Sequence, residues 1–238
     1  MPCLALGQLD GVLACCVFVG LPQAAVRPAL AGLLLGVEVL KPQTGLIAPI
    51  ALLAAGRWRA LVAGAVTVLA LFLLPVACFG WTSWALYLHA GSALARGLLQ
   101  ANFGLSYQLN GISVFWMGRS LGGSVTVAYA AQALAGLMAI GIVWRAWRLP
   151  GADRLAVAAL TMLLTLFLTP YGYSSDMVGY TLALAVLAAR RGWRVSLLDG
   201  LLWLWPGFIV LFTMTTGVLL TPLVVALASF RAWRAVRP

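Results

Sequence analysis

Five carboxylates, a single lysine and a single histidine stand out in a chain of 238 residues that is 63% hydrophobic and only 8% charged. The lysine, Lys41, lies in "VEVLKPQTGLIAPI" (37–50), between two apolar runs, with Glu38 one helical turn earlier and Pro42 and Gln43 directly after it. Two further carboxylates sit in comparable settings, Asp10 in "GQLDG" beside Gln8, and Asp176 in "TPYGYSSDM" (169–177) after Tyr171. A carboxylate can take a proton from an attacking hydroxyl, and an ammonium or guanidinium can hold a phosphate. Glu38 and Lys41, at i and i+3, can equally pair with each other and tie the junction together. No His/Asp/Glu spacing calls for a tightly bound metal, and Cys3, Cys15, Cys16 and Cys78 have no metal or redox spacing.

The elements that position these residues are apolar segments near 9–21, 28–40, 43–56, 60–80, 124–146, 155–170, 175–189, 196–213 and 217–231. Soluble domains carry about a quarter charged residues. With a mean hydropathy of +1.04, this chain is expected to be an all-α, polytopic membrane protein of about nine helical segments, forming one domain over 1–238. Strand-type alternation is absent, which disfavours an outer-membrane barrel. A net charge of +10 would suggest nucleic acid in a soluble chain, but the arginines here flank apolar runs, so no nucleic-acid partner is expected.

Those arginines report orientation. Arg27; Arg57 and Arg59; Arg145, Arg148 and Arg154; Arg190, Arg191 and Arg194; and Arg231, Arg234 and Arg237 fall on one side if every segment crosses. That side carries twelve of the fifteen basic residues and reads as cytoplasmic, carboxyl terminus included. The opposite side collects Gln8, Asp10, the Glu38–Gln43 stretch, the loop 81–123 and "TPYGYSSDM". Segments 28–40 and 43–56 are each about 20 Å long as helices, against roughly 30 Å of hydrocarbon. Their charged junction therefore falls below the outer surface, where ionisable residues are costly and usually functional. Within the outer loop, "SWALYLHAGSALARGLLQ" has helical amphipathicity, with His89, Ser92, Arg96 and Gln100 along one face.

The blocks "GQLDGVLA", "RPALAGLLLGVEVLKPQTGLIAPIALLAAGRWRAL" and "TPYGYSSDM" resemble glycosyltransferase family 87, integral-membrane enzymes of the GT-C class. The order and spacing from "LAGLLLG" through "KPQTGL" to "GRWRAL" are the most specific part, and the resemblance runs over essentially the whole chain. It implies a GT-C-like fold in the bacterial inner (plasma) membrane. It also implies an inverting hexosyltransferase, and more narrowly a mannosyltransferase, that uses a polyprenyl-phosphate sugar at the outer face. The partners implied are membrane lipids, that donor and a glycan or glycolipid acceptor of the cell envelope, with no cofactor. The chain corresponds to the later part of a family member, so the usual acidic base is expected upstream, in an outer loop after a first transmembrane helix. Ser175 departs from the pattern, since the family more often has an aromatic residue beside the aspartate.

On this reading the donor-phosphate and substrate-binding candidates are Lys41, Gln43, Glu38, Gln8, Asp10, Arg96, Tyr171 and Asp176. Lys41, Arg96 and Arg119 are the only outer-side cations, and Lys41 comes first because of its depth. Asp10 and Asp176 can orient sugar hydroxyls or hold Lys41 and Arg96 in place. A lipid-carrier transporter or flippase, or a non-catalytic scaffold in envelope-glycan assembly, is the alternative. The threading predicts that phosphatase reporters fused within 95–110 are active and that those fused after Pro238 are inactive; the opposite pattern overturns it.

Overall fold

The computed structural model describes residues 9–236, so Gln8 lies outside the described residues. Among the described residues there are thirteen α-helices and no strand beyond an isolated antiparallel bridge between Gly111 and Tyr173. The helices are α1 (Asp10–Gln23), α2 (Pro28–Val37), α3 (Pro42–Gly45), α4 (Ala48–Ala54), α5 (Trp58–Phe79), α6 (Thr82–Gln100) and α7 (Val114–Ser120). They continue with α8 (Val125–Arg148), α9 (Arg154–Thr165), α10 (Met177–Arg190), α11 (Leu197–Leu204), α12 (Ile209–Thr216) and α13 (Thr221–Val236).

Every apolar segment of the sequence is helical, but few of the helices are full spans. Among the described residues, α5 and α8 are each long and apolar enough to cross a membrane. The pair Leu197–Gly207 and Ile209–Thr216, bent by 78°, makes a third if it is one broken span. The expected nine segments are thus not nine crossings of standard length. Pro42 explains one break, because the residue before a proline is driven from helical geometry, and Lys41 leaves it at φ −138° and ψ 78°. The stretches Pro28–Leu40 and Pro42–Ala54 form the short, broken arms expected around Lys41.

Helix α9 is the central post. Residues 156–165 are all buried, and the helix packs against α1, α8, α10 and α13. Its one mid-helix hydroxyl is satisfied, since Thr161 Oγ1 accepts the Trp147 indole N–H at 2.9 Å and donates to the Val157 carbonyl at 2.8 Å. On the other side of the bundle, α2 lies tightly on α5 because glycine faces small residues. A Cβ on Gly32 would be 2.4 Å from Ala63 Cβ, and one on Gly36 would be 2.5 Å from Thr67 Cβ. Helices in lipid gain little from the hydrophobic effect, so such close backbone approach is what joins them. The contact aligns the α2 arm that carries Glu38 and Lys41.

The expected amphipathic helix is present as α6, and its residues are mostly exposed. It is hinged to α5 after Gly80, whose φ of 77° suits glycine, and the Trp84 ring stacks on Phe72 with centroids 4.7 Å apart. Overpacking a tight interface costs roughly 1–3 kcal/mol. Gly36→Ala is therefore expected to lower the unfolding temperature in detergent clearly. Gly141→Ala, where no atom lies within 4 Å of the added methyl, should be neutral or slightly stabilising. Equal behaviour of the two variants would show that α2 and α5 are not joined this way.

Candidate functional site

The site begins with the break at Lys41. Preceding a proline, Lys41 takes φ −138° and ψ 78°, and α2 ends through a 3₁₀ turn over Glu38–Leu40. Pro42 then opens α3, with the Thr44 N–H bonded to the Lys41 carbonyl at 3.0 Å. The reversal is so tight that a Cβ on Gly45 would lie 2.5 Å from Glu38 Cβ.

This geometry decides between the two pairings open to Lys41. Leaving the helix turns its side chain away from the i, i+3 row, and the Glu38–Lys41 pair is not formed. The Lys41 ammonium instead bonds Asp10 Oδ1 and lies 2.5 Å from Asp176 Oδ1. Asp10 and Asp176 have side chains only 2% exposed, whereas the Lys41 side chain is 17% exposed. Lys41 is thus the accessible member of the cluster. The Asp176 carboxylate is fixed by the Tyr173 backbone N–H, which donates to Oδ2 at 2.8 Å. Asp10 stands in the first turn of α1, where a carboxylate also complements the helix dipole.

Glu38 is 1% exposed and meets the Thr44 hydroxyl at 3.0 Å. That hydroxyl also lies 2.8 Å from the Lys41 carbonyl, and its single proton cannot serve both acceptors at once. Glu38 Oε1 and Asp10 Oδ2 are buried without a hydrogen-bond partner. Thr165, at the end of the central post, anchors the hairpin by donating to the Thr44 carbonyl at 3.0 Å, with the Gln43 carbonyl at 3.4 Å. Asp10, Glu38 and Asp176 with one ammonium make a cluster in which carboxylates outnumber the cation.

The chain between α6 and α7 closes over this cluster. Ile112 N–H bonds the Gly172 carbonyl at 3.0 Å, Ser113 Oγ donates to the Pro170 carbonyl at 3.0 Å, and Ser174 Oγ donates to Asn110 Oδ1 at 3.1 Å. Aromatic packing thickens the cover, with Tyr107, Phe115, Trp116 and Tyr173 grouped together. Gln108, fully buried, accepts from the Gly104 and Leu105 N–H groups at 2.7 and 2.9 Å and shapes the loop.

Of the sequence candidates, the structure brings together Asp10, Glu38, Lys41 and Asp176, with Gln43 next to them in the hairpin. Tyr171 is in the covering loop. Burial, and then Tyr129, push its phenol above the usual range, while the nearby Arg96 charge opposes them. Arg96 is exposed on α6. Arg119 is a structural staple, its guanidinium donating to the Gly123 and Ala101 carbonyls at 3.1 and 3.0 Å. Thr44, Thr165 and Ser113 carry no signal of their own in the sequence. Threonine and serine occur throughout the chain, and contacts distant along it, from Thr165 to the Thr44 carbonyl and from Ser113 to the Pro170 carbonyl, bring them into the site.

Fold and site together define a helical membrane protein with a buried carboxylate–lysine cluster under a polar and aromatic cover. The chain belongs to glycosyltransferase family 87, which it matches over residues 1–170. Asp10, Glu38, Lys41 and Gln43 lie within that match, while Tyr171 and Asp176 follow it. No curated protein and no solved structure matches the chain.

Removing one partner of a buried ion pair costs roughly 3–5 kcal/mol, because the other charge is left uncompensated. Lys41→Met should accordingly lower thermal stability sharply, and Asp10→Asn with Asp176→Asn in the same chain should recover most of the loss. Full recovery with Glu38→Gln alone would contradict the pairing described here.

Proposed function

We propose that this glycosyltransferase moves a hexosyl residue, specifically mannosyl, from a polyprenyl-phosphate donor to a hydroxyl of a glycan or glycolipid. The reaction takes place at the outer face of the bacterial inner membrane, with inversion. The acceptor oxygen bonds to the anomeric carbon as the bond from that carbon to the phosphate oxygen breaks. The acceptor proton passes to a carboxylate, and polyprenyl phosphate leaves. The observation that carries this reading is a half-buried ammonium between two buried aspartates, reachable through its own partly exposed side chain and roofed by the loops around it. Family membership supports the transferase class; the donor, the sugar and the face are our reading of the cluster and of the arginine distribution.

The division of labour follows from access and charge. Lys41, more exposed than either aspartate, meets the donor phosphate, and Asp10 and Asp176 hold its ammonium in position. Arg96 and Tyr171 border the same outer region and contact the sugar or phosphate from above. Glu38 and Gln43 line the hairpin beneath. A lipid-carrier transporter would place polar groups at paired broken helices. The second broken helix here has Trp205, Pro206, Gly207 and Phe208 at its bend, with no ionisable group, which favours the transferase.

Loss of a charge-assisted contact is worth roughly 1.5–3 kcal/mol, about ten- to a hundredfold in affinity. The variant combining Lys41→Met, Asp10→Asn and Asp176→Asn removes the lysine together with both of its partner charges, and a polyprenyl-phosphate mannose titration on it should show a loss of at least that size. Wild-type donor affinity in that folded variant would remove Lys41 from the phosphate site. Failure of the wild-type protein to bind this donor at all would remove the donor assignment itself.

A further inference from the structure

Far from the charged cluster, α8, α9 and α13 enclose an apolar groove of about 330 Å³. Its back wall is Leu160, Leu164 and Phe167 of the central post and the turn after it, and its lips include Met138 and Ile142 of α8 and Phe230 and Trp233 of α13. Met138 and Phe230 are exposed despite their size. The Ser229 hydroxyl also lines the groove and is buried without a hydrogen-bond partner.

The stripe that lines the groove continues into arginine at one end on both lips. On α8, residues 135, 138 and 142 share a face, and Arg145 is the next position along it. On α13, residues 226, 230 and 233 share a face, and Arg234 follows one turn beyond Phe230. The Arg234 guanidinium rests over the Phe230 ring, 4.5 Å from its centroid, so the charge stands directly against the groove wall. Both arginines are exposed, and neither joins the ion pairs that engage Arg190, Arg191 and Arg231 with Asp153 and Asp199. An apolar channel in the membrane-embedded surface, ending at two exposed guanidinium groups, matches an acyl chain joined to an anionic head.

From this we infer that the α8–α9–α13 groove is a binding site for an anionic phospholipid, with one acyl chain along Leu160, Leu164 and Phe230 and the phosphate between Arg145 and Arg234. The site is separate from the transferase cluster, and the inference does not depend on the reaction proposed above. A neutral lipid fills the groove equally well but gains nothing at its arginine end. Arginine also forks onto phosphate oxygens with two parallel hydrogen bonds, which favours it for this role.

The test uses the full chain in nanodiscs of phosphatidylcholine with or without phosphatidylglycerol, reading thermal stability and retained phosphatidylglycerol by mass spectrometry. Each arginine near an anionic lipid surface contributes about a factor of five. Arg145→Gln with Arg234→Gln should therefore weaken phosphatidylglycerol retention about thirtyfold. Ala226→Phe, at an exposed groove position, should abolish the phosphatidylglycerol-dependent rise in unfolding temperature by occupying the channel while leaving both charges in place. Arg57→Gln with Arg59→Gln, at another basic cluster, should leave retention unchanged. Unfolding temperatures in pure phosphatidylcholine show that each variant is folded. Wild-type phosphatidylglycerol retention in either test variant, equal loss in the Arg57/Arg59 control, or equal stabilisation by both lipids would overturn the proposal.

Discussion

The Lys41–Pro42 peptide bond governs the centre of this molecule. Proline denies Lys41 helical geometry, and that denial stops α2 about ten residues after it starts. The side chain then leaves the helix row and reaches across the bundle, where the first turn of α1 and the turn before α10 each present an aspartate. Three segments distant in sequence are held together by one ammonium. Without the break, Glu38 would be the natural partner of Lys41, and Asp10 and Asp176 would be two uncompensated buried charges. The interaction is thus both the tie between α1, α2 and α10 and the reason their ends form a site.

Such a cluster needs rigid support, because a buried charge whose partner drifts by an ångström is an expensive defect. Support comes from two directions of different character. On one side, glycines let α2 press against α5 until backbone touches side chain, which fixes the arm by van der Waals contact alone. On the other, Thr165 of the buried central helix grips the carbonyls of Gln43 and Thr44. The roof adds directional bonds, from Ile112 to Gly172 and from Ser113 to Pro170. Packing thus holds one side of the cluster and directional hydrogen bonds hold the other.

The convergence of Asp10, Glu38, Lys41 and Asp176 was legible in the sequence because charge is so rare in it. Counting apolar segments put all four toward one side, and the short arms 28–40 and 43–56 placed the lysine below the surface. The helix at 82–100 was legible from its amphipathic face. What escaped was direction. A sequence shows that Glu38 and Lys41 are three apart, but not that Pro42 rotates the lysine out of register before that spacing can act. The supporting threonines escaped for a related reason, since Thr44 and Thr165 meet across 121 positions. The idea of nine crossings fared less well than the segments themselves, because hydropathy marks which stretches belong in lipid and says little about whether each one traverses it.

The imbalance within the cluster links its structure to its proposed chemistry. Asp10, Glu38 and Asp176 share one cation, and two of their oxygens lack any hydrogen-bond donor. In a protein whose only task here was cohesion, a second cation or an amide in place of one acid would satisfy the same volume at lower cost. In the reaction proposed above, an anionic phosphate arriving at Lys41 competes with Asp10 and Asp176 for the ammonium. Held between two aspartates, the lysine is fixed in place before the phosphate arrives, which is a physical reason for a transferase of that kind to keep its lone lysine there.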